Sequence, residues 1–459
     1  MAKFKLTDTA DNVEGTTDDD RIVGKAGTLQ SEDRIDGGSG FDTLVANAEQ
    51  NGAQAPVISN VEDLFIDTGG LAFDISNVSG AERIISDKAS IIIEPVDTDD
   101  LGIRFGGDDV GSGTVKIQFA DGALAAADDT LKLEAIASNV TFTSDSTFDG
   151  TEDGIDNPTE DRLKVENIDL VLSGKENQVD ISDFTEIESL TLSGDATSKV
   201  VVSSPKLEEI DASATTGGIT LTSDIEGNQI VEGGSGDDDL KTGSGNDDID
   251  SGDGDDVITA GGGNNIIRTG DGKDEVSAEQ GDDDIYLGRG DDFVNSGSGA
   301  DTIRGGAGND EIIAGDGADT IYGGNNEDII RGQGGADIIY DGRNEDTVYG
   351  GGDNDTFFAG QGDDTFTGGG GVDTFDFTEE KFGNDEVTDF TLTTNASTND
   401  IVMFEADGAE YTLQSKDDFE AFVDGNPDIT DFSTNQDFVS ITADMGQILL
   451  QVSDADFLG

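Results

Sequence analysis

An aspartate recurs every ninth residue in one stretch of this chain: Asp238, Asp247, Asp256, Asp274, Asp283, Asp292, Asp301, Asp310, Asp319, Asp328, Asp337, Asp346, Asp355, Asp364 and Asp373, with Asn265 at the one remaining place. The chain has no histidine and no cysteine, so these carboxylates are hard oxygen donors without softer company. Missing histidine also removes the commonest general base and every HExxH site, while missing cysteine removes thiolate nucleophiles and disulfides. No GxSxG nucleophile elbow occurs either. These absences argue against an enzyme; an extracellular enzyme of the carboxylate-pair glycosidase kind is the alternative that so acidic a composition leaves open.

The elements that must position these carboxylates follow from the same period. From Gly233 to Asp376 the chain consists of sixteen nonapeptides without a slip, from "GGSGDDDLK" to "GGGGVDTFD", with the aspartate at position 6. Position 8 is apolar in all sixteen, running from Leu240 and Ile249 to Phe366 and Phe375. Three residues centred on position 8 make a minimal strand whose middle side chain points to one face. The six before it reverse the chain. Glycines at positions 2 and 4 supply the positive φ that a tight turn needs, and Asn326, Asn344 and Asp353 at position 4 are the side chains that best tolerate it. The unbroken register and the apolar position 8 argue against a solvated acidic linker.

The pattern GGxGxDxUx resembles the nonapeptide of the RTX, or repeats-in-toxin, family. That resemblance implies a parallel β-roll in which two nonapeptides make one coil and Ca²⁺ sits in the turns between successive coils. It also implies that position-6 carboxylates and backbone carbonyls from turns two repeats apart hold each ion, pairing Asp238 with Asp256, Asp301 with Asp319, and Asp319 with Asp337. Asn265 lacks the charge, so its site is expected to be weaker or empty. Rows of Asp about 4.8 Å apart repel by roughly 1 kcal/mol per pair in water and about 3–4 at an effective dielectric of 20. The segment is therefore expected to be disordered without Ca²⁺ and to fold with it.

The remaining chain divides into three segments. Residues 1–54 echo the nonapeptide in "GTTDDDRIV", "SEDRID" and "GGSGFDTLV", which makes Asp20, Asp33 and Asp42 further candidate ligands. Residues 55–232 carry a unit of the type V/I/L-E-x-I/L-x-I/L at spacings near twenty, as in "TEIESLTLSG" and "KLEEIDASA". That spacing reads as coils of a parallel β-solenoid, with a β-sandwich of hairpins as the competing reading. Within it, "DGTEDGIDNPTE" nearly fits an EF-hand loop, with Asp149, Thr151, Asp153 and Glu160 as candidate ligands. Its flanks read as strands, so the alternatives are a calcium loop outside an EF-hand and an acidic surface turn. Residues 377–459 read as short strands around one brief amphipathic helix in "SKDDFEAFVDG", capping the last coil. The fold class expected is all-β: a parallel β-solenoid N-terminal region, then a calcium-bound RTX β-roll over 233–376, then a small C-terminal cap.

Composition narrows the partners. The chain has 459 residues, 102 Asp plus Glu against 24 Lys plus Arg, and a formal net charge of −78. Nucleic acid and anionic membrane surfaces would repel it. No run approaches the length of an apolar membrane span, and no apolar stretch follows Lys3 and Lys5, so neither membrane insertion nor a cleaved leader is expected. The order of segments resembles RTX surface-layer proteins of Gram-negative bacteria. That likeness implies export by type I machinery using a C-terminal signal, attachment of the N-terminal part to cell-surface polysaccharide or lipopolysaccharide, and self-association of the calcium-bound part at the cell surface. An RTX adhesin or matrix protein that forms no lattice is the alternative. Position 9 of alternate repeats reads Tyr286, Arg304, Tyr322, Tyr340, Phe358, an outward row suited either to subunit contact or simply to covering the sheet.

Overall fold

A computed structural model describes residues 2–47 apart from 8–9, 27–28 and 30–32; strands with short flanks between 57 and 182; residues 187–378 apart from 224; and strand segments between 383 and 452. The chain divides into two compact units, residues 1–242 and 243–459. Each is a parallel solenoid.

In the first unit, successive coils add one strand to each of two sheets. One sheet runs from Lys3–Lys5 through Arg21–Ala26, Thr43–Asn47, Asp63–Asp67, Arg83–Ser86, Gly102–Gly106, Thr130–Ile136, Asn167–Ser173, Ser189–Gly194 and Glu209–Thr215 to Ile230–Glu232, every pair parallel. The second starts at Ala72–Asp74 and ends with Ile219–Ser223 paired to Asp239–Lys241. A third, short sheet joins Asn12–Thr16, Arg34–Gly38, Val57–Ser59 and Val78–Ser79. Parallel pairing throughout excludes the hairpin sandwich. The glutamate-containing units do what their spacing requires. Ile187, Leu190 and Leu192 are buried, as are Leu207, Ile210 and Ala212 one coil later, and Leu190 lies opposite Ile210. Segment 1–54 joins the same stack, and the first nonapeptide extends the second sheet.

Two coils depart from the common length. Gly102 pairs with Lys132 and Thr130 with Asn167, longer steps along the sequence than the other coils take. The loop with Asp149, Thr151, Asp153 and Glu160 falls in the second of these longer steps, between Asn139–Ser144 and Asn167–Ser173, and lies outside the described residues.

In the second unit each coil takes 18 residues, two nonapeptides. The position-8 side chains form two inward files, Ile303 opposite Ile321 and Ile339 in one sheet and Ile312 opposite Ile330 and Val348 in the other. Sequence reasoning gave each repeat three strand residues, and the early repeats obey, as in Val257–Thr259. From Thr302–Ala307 most strands run to six, because positions 1 to 3 of the next repeat also pair, as Gly306 does with Gly324. The chain reversal is thus confined mainly to positions 4 to 6. Gly290 at position 4 has φ +140, and a Cβ there would strike the Gly272 carbonyl oxygen. Asn326, Asn344 and Asp353 occupy the same place at φ 82, 80 and 74, while Glu279 and Gln333 adopt positive φ at position 2 with no such tolerance.

The roll ends by changing its pairing. Thr374–Phe377 pairs in parallel with Ile401–Ala406, which turns back antiparallel to Ala409–Leu413. On the other sheet Thr365–Gly370 pairs with Asn384–Phe390 and that with Gly446–Val452, whose hairpin partner is Phe438–Ala443. The core under this end changes from aliphatic to aromatic: Phe357 and Phe375 stack at 4.8 Å, with Phe366 edge-on to both. Of the expected short helix, Asp418 is described; its backbone N–H donates to Ser415 Oγ, a helix-start contact. Among the described residues no helix is long and apolar enough to cross a membrane.

Candidate calcium sites

Strand alternation turns position 8 inward, and the tight turn before it folds position 6 under the coil. Every position-6 aspartate of the repeats is buried, at no more than 2% exposure. One oxygen of each has a fixed task. The backbone N–H of Asp319 donates to Asp337 Oδ1 at 2.9 Å, that of Asp337 to Asp355 at 2.9 Å, and that of Asp355 to Asp373 at 3.0 Å. The other file runs alike through Asp274, Asp292, Asp310, Asp328, Asp346 and Asp364. The carboxylates expected to share ions two repeats apart, Asp301 with Asp319 and Asp319 with Asp337, are thus direct neighbours.

In most of the repeats the second oxygen has no protein donor. Oδ2 of Asp283, Asp292, Asp310, Asp319, Asp328, Asp337, Asp346 and Asp355 is buried and accepts no hydrogen bond. Leaving such an atom unsatisfied costs about 1–3 kcal/mol, more when it is charged. A row of them calls for cations. Burial pushes Asp283, Asp292, Asp310, Asp319 and Asp328 up to about 7, and for the first four a neighbouring position-6 carboxylate adds to the rise. Hard, desolvated, oxygen-only donors spaced along a stack fit Ca²⁺, whose flexible shell of six to eight oxygens can include carbonyls of the turns.

Where an ion is not needed, the turn closes itself. Asn265 accepts from the Asp247 N–H at 3.0 Å and donates through Nδ2 to the Gly263 carbonyl at 3.0 Å. We expect Asn265→Asp to raise the number of calcium ions bound, read by calorimetry, and to make the calcium-free roll less stable. Unchanged stoichiometry would mean that this turn excludes ions for another reason.

The N-terminal candidates use the same ladder with different endings. Asp20 N–H donates to Asp42 Oδ1 at 2.6 Å, and Asp11 N–H to Asp33 Oδ1 at 2.8 Å. Asp20 Oδ2, however, accepts from the backbone N–H and hydroxyl of Thr16 at 2.6 and 2.8 Å. Burial opposes ionisation of Asp20, but these bonds and one from Ala2 prevail and hold its carboxyl below the usual range. Asp238 also has both oxygens engaged, by Ile219 and Gly234 N–H groups. These two turns resemble Asn265 more than the orphaned repeats.

Features that escaped the sequence reading lie at the end of the roll and on its outer turns. Asp385 and Asp400 continue the two files beyond the last repeat, taking the N–H of Asp364 at 2.9 Å and of Asp373 at 3.0 Å. Asp400 is then closed by Thr391 N–H, whereas Asp385 Oδ2 is left buried and bare. Position 5 forms a second, exposed ladder in the opposite sense, in which Asp291 accepts from Asn309 N–H and Asp282 from Ala300 N–H.

The RTX calcium-binding nonapeptide repeat model matches residues 7–44, 29–49, 225–258, 259–294, 295–330, 322–357 and 349–378. The chain therefore carries RTX-type calcium-binding repeats near its N-terminus and throughout the roll. No curated protein matches the chain.

Proposed function

We propose that this chain is a secreted, calcium-dependent structural protein that assembles with copies of itself into a bacterial surface layer. The observation that carries the reading is the long row of buried carboxylate oxygens without donors, which makes the roll's order conditional on calcium outside the cell. Export by type I machinery through the C-terminal segment 377–459 and attachment through the N-terminal solenoid to surface polysaccharide or lipopolysaccharide belong to the same reading.

A candidate contact face lies on one sheet of the roll. Tyr322 and Tyr340 stack at 4.8 Å, and Tyr340 and Phe358 at 4.5 Å. Arg304 sits over Tyr286 at 4.5 Å and Tyr322 at 5.4 Å, paired also with Asp284. The result is a half-buried file of stacked rings on the outer face of the sheet, with Tyr322 its most exposed member at 37%. Its rings also satisfy one another, which favours the second reading, a soluble adhesin or matrix protein whose ladder only braces the sheet.

Light scattering and negative-stain imaging should distinguish them as calcium is raised from chelator to about 10 mM, roughly tenfold above the range of extracellular calcium modules. Ordered sheets support the surface layer, and Tyr322→Asp with Tyr340→Asp should then leave the monomer folded but weaken assembly. A monomer at every calcium level would overturn the lattice and leave the soluble protein.

A further inference from the structure

Position 1 of each nonapeptide also faces inward, two residues beyond the apolar position 8 on the same strand. Where it is glycine, a Cβ would be aimed at the position-6 carboxylate of its own repeat. It would lie 2.6 Å from Asp310 Oδ2 at Gly305, 2.9 Å from Asp328 Oδ2 at Gly323 and 2.4 Å from Asp355 Oδ2 at Gly350. Position 1 therefore looks onto the same oxygen that lacks a donor.

In one repeat this place is taken by an acid, Asp341. Its side chain is fully buried, at 0% exposure. Oδ1 accepts from the Gly342 and Gly360 N–H groups at 2.6 and 2.7 Å, and Oδ2 has no donor. Oδ2 of Asp346 and of Asp364 are equally bare. One oxygen from each of Asp341, Asp346 and Asp364 lies within 4.8 Å of the others, and among the described residues no second trio of metal-ligating side chains does so. Asp385, joined to the Asp364 N–H, adds a fourth buried carboxylate behind them.

We propose that Asp341, Asp346 and Asp364 form a cation site distinct from those of the ordinary repeats, holding one hard, oxygen-seeking cation on three carboxylates. The proposal rests on the calcium reading of the repeats, in which Asp346 and Asp364 are a position-6 pair two repeats apart, and gives the ion of that pair a third carboxylate. Ca²⁺ is the physiological occupant its chemistry selects, since the shell of Mg²⁺ is too rigid and too reluctant to shed water for a preformed buried trio. A trivalent lanthanide matches the charge of three carboxylates better still. Without a cation, like charges this close cannot all ionise, so a proton must reside in the cluster. Burial, and then the Asp364 charge, raise Asp341 accordingly.

The test uses the full chain and direct europium luminescence, in which the excitation line of each bound Eu³⁺ reports the charge of its donors. The wild type should bind one Eu³⁺ ahead of the rest, on a line of its own, and Ca²⁺ should compete for that line. Asp341→Gly restores the residue found at this place in neighbouring repeats, and Asp341→Asn keeps the volume while removing the charge. Both should lose the separate line, or weaken its ion by at least the ~10-fold that even an outer partner's loss costs, while keeping the common lines. Identical lines in wild type and both variants would overturn the site and leave ordinary calcium binding standing, the trio then holding a proton. No bound europium in any of the three folded proteins would overturn the calcium reading as well.

Discussion

Transferred from millimolar calcium into chelator at pH 7.5, residues 243–378 will lose their protection from hydrogen exchange while residues 187–232 keep theirs. The two parallel stacks differ in what holds them. One coil of the solenoid buries Ile187, Leu190, Leu192, Val200 and Val202, about 8–15 kcal/mol of apolar burial at 1.5–3 per side chain. One coil of the roll buries Ile303 and Ile312, with only Ala314 and glycine beside them, about 3–6 kcal/mol on the same scale. The roll must also stack carboxylates on carboxylates, at about 4 kcal/mol per close pair at an effective dielectric of 20. Calcium converts that repulsion into attraction and supplies the partner that each Oδ2 lacks. The expected change is a loss of most slow-exchanging amides across the roll, reversed on returning calcium. Equal deuterium uptake with and without calcium would show that the core alone suffices.

The periodic part of this architecture was legible because each nonapeptide restates one solution. Position 8 had to be apolar to face the core, position 6 had to be acidic, and both files are where the nine-residue spacing placed them. The solenoid was legible from a looser signal, the recurrence of units such as Ile187-Glu188 and Leu207-Glu208. What was missed lies where the spacing slips or the residue type departs from its column. Asp385 stands 21 residues past its partner, off the nine-residue frame, whereas Asp400 stands 27 past its own, in phase but beyond two steps, Phe382 and Thr391, that break the aspartate column. Their local signature survives in Asn384-Asp385-x-Val387 and Asn399-Asp400-x-Val402, with both valines buried. Asp341 was hidden for the opposite reason: it keeps the spacing but occupies a position read as part of the turn, and only the strand's continuation to Arg343 turns it inward. The closed turns at Asp20 and Asp238 could not be told from open ones, since the difference is which donor happens to reach Oδ2.

In chelator, lowering the pH from 8 to about 5.5 should restore protection to the roll without any calcium. The carboxyls of Asp283, Asp292, Asp310, Asp319 and Asp328 are raised by burial from 3.8 to about 7 in the folded chain. Between those values the folded state binds more protons than the unfolded one, so folding is favoured as pH falls. The favourable condition is complete below about 3.8 and is lost as pH rises through about 7. Precipitation near the isoelectric point of about 4.1 limits the usable window from below. Recovery should not be uniform: burial raises Asp346 to about 9 and Asp355 and Asp385 to about 8, so the coils over the phenylalanine core regain protection at the highest pH. With calcium present the sign reverses, because protons and Ca²⁺ compete for the same oxygens, and the calcium midpoint should rise as pH falls. Equal exchange at pH 5.5 and 8 in chelator, after correction for the intrinsic rates, would mean that relieving the repulsion is not enough and that the ion's own coordination of the turns is what orders the roll.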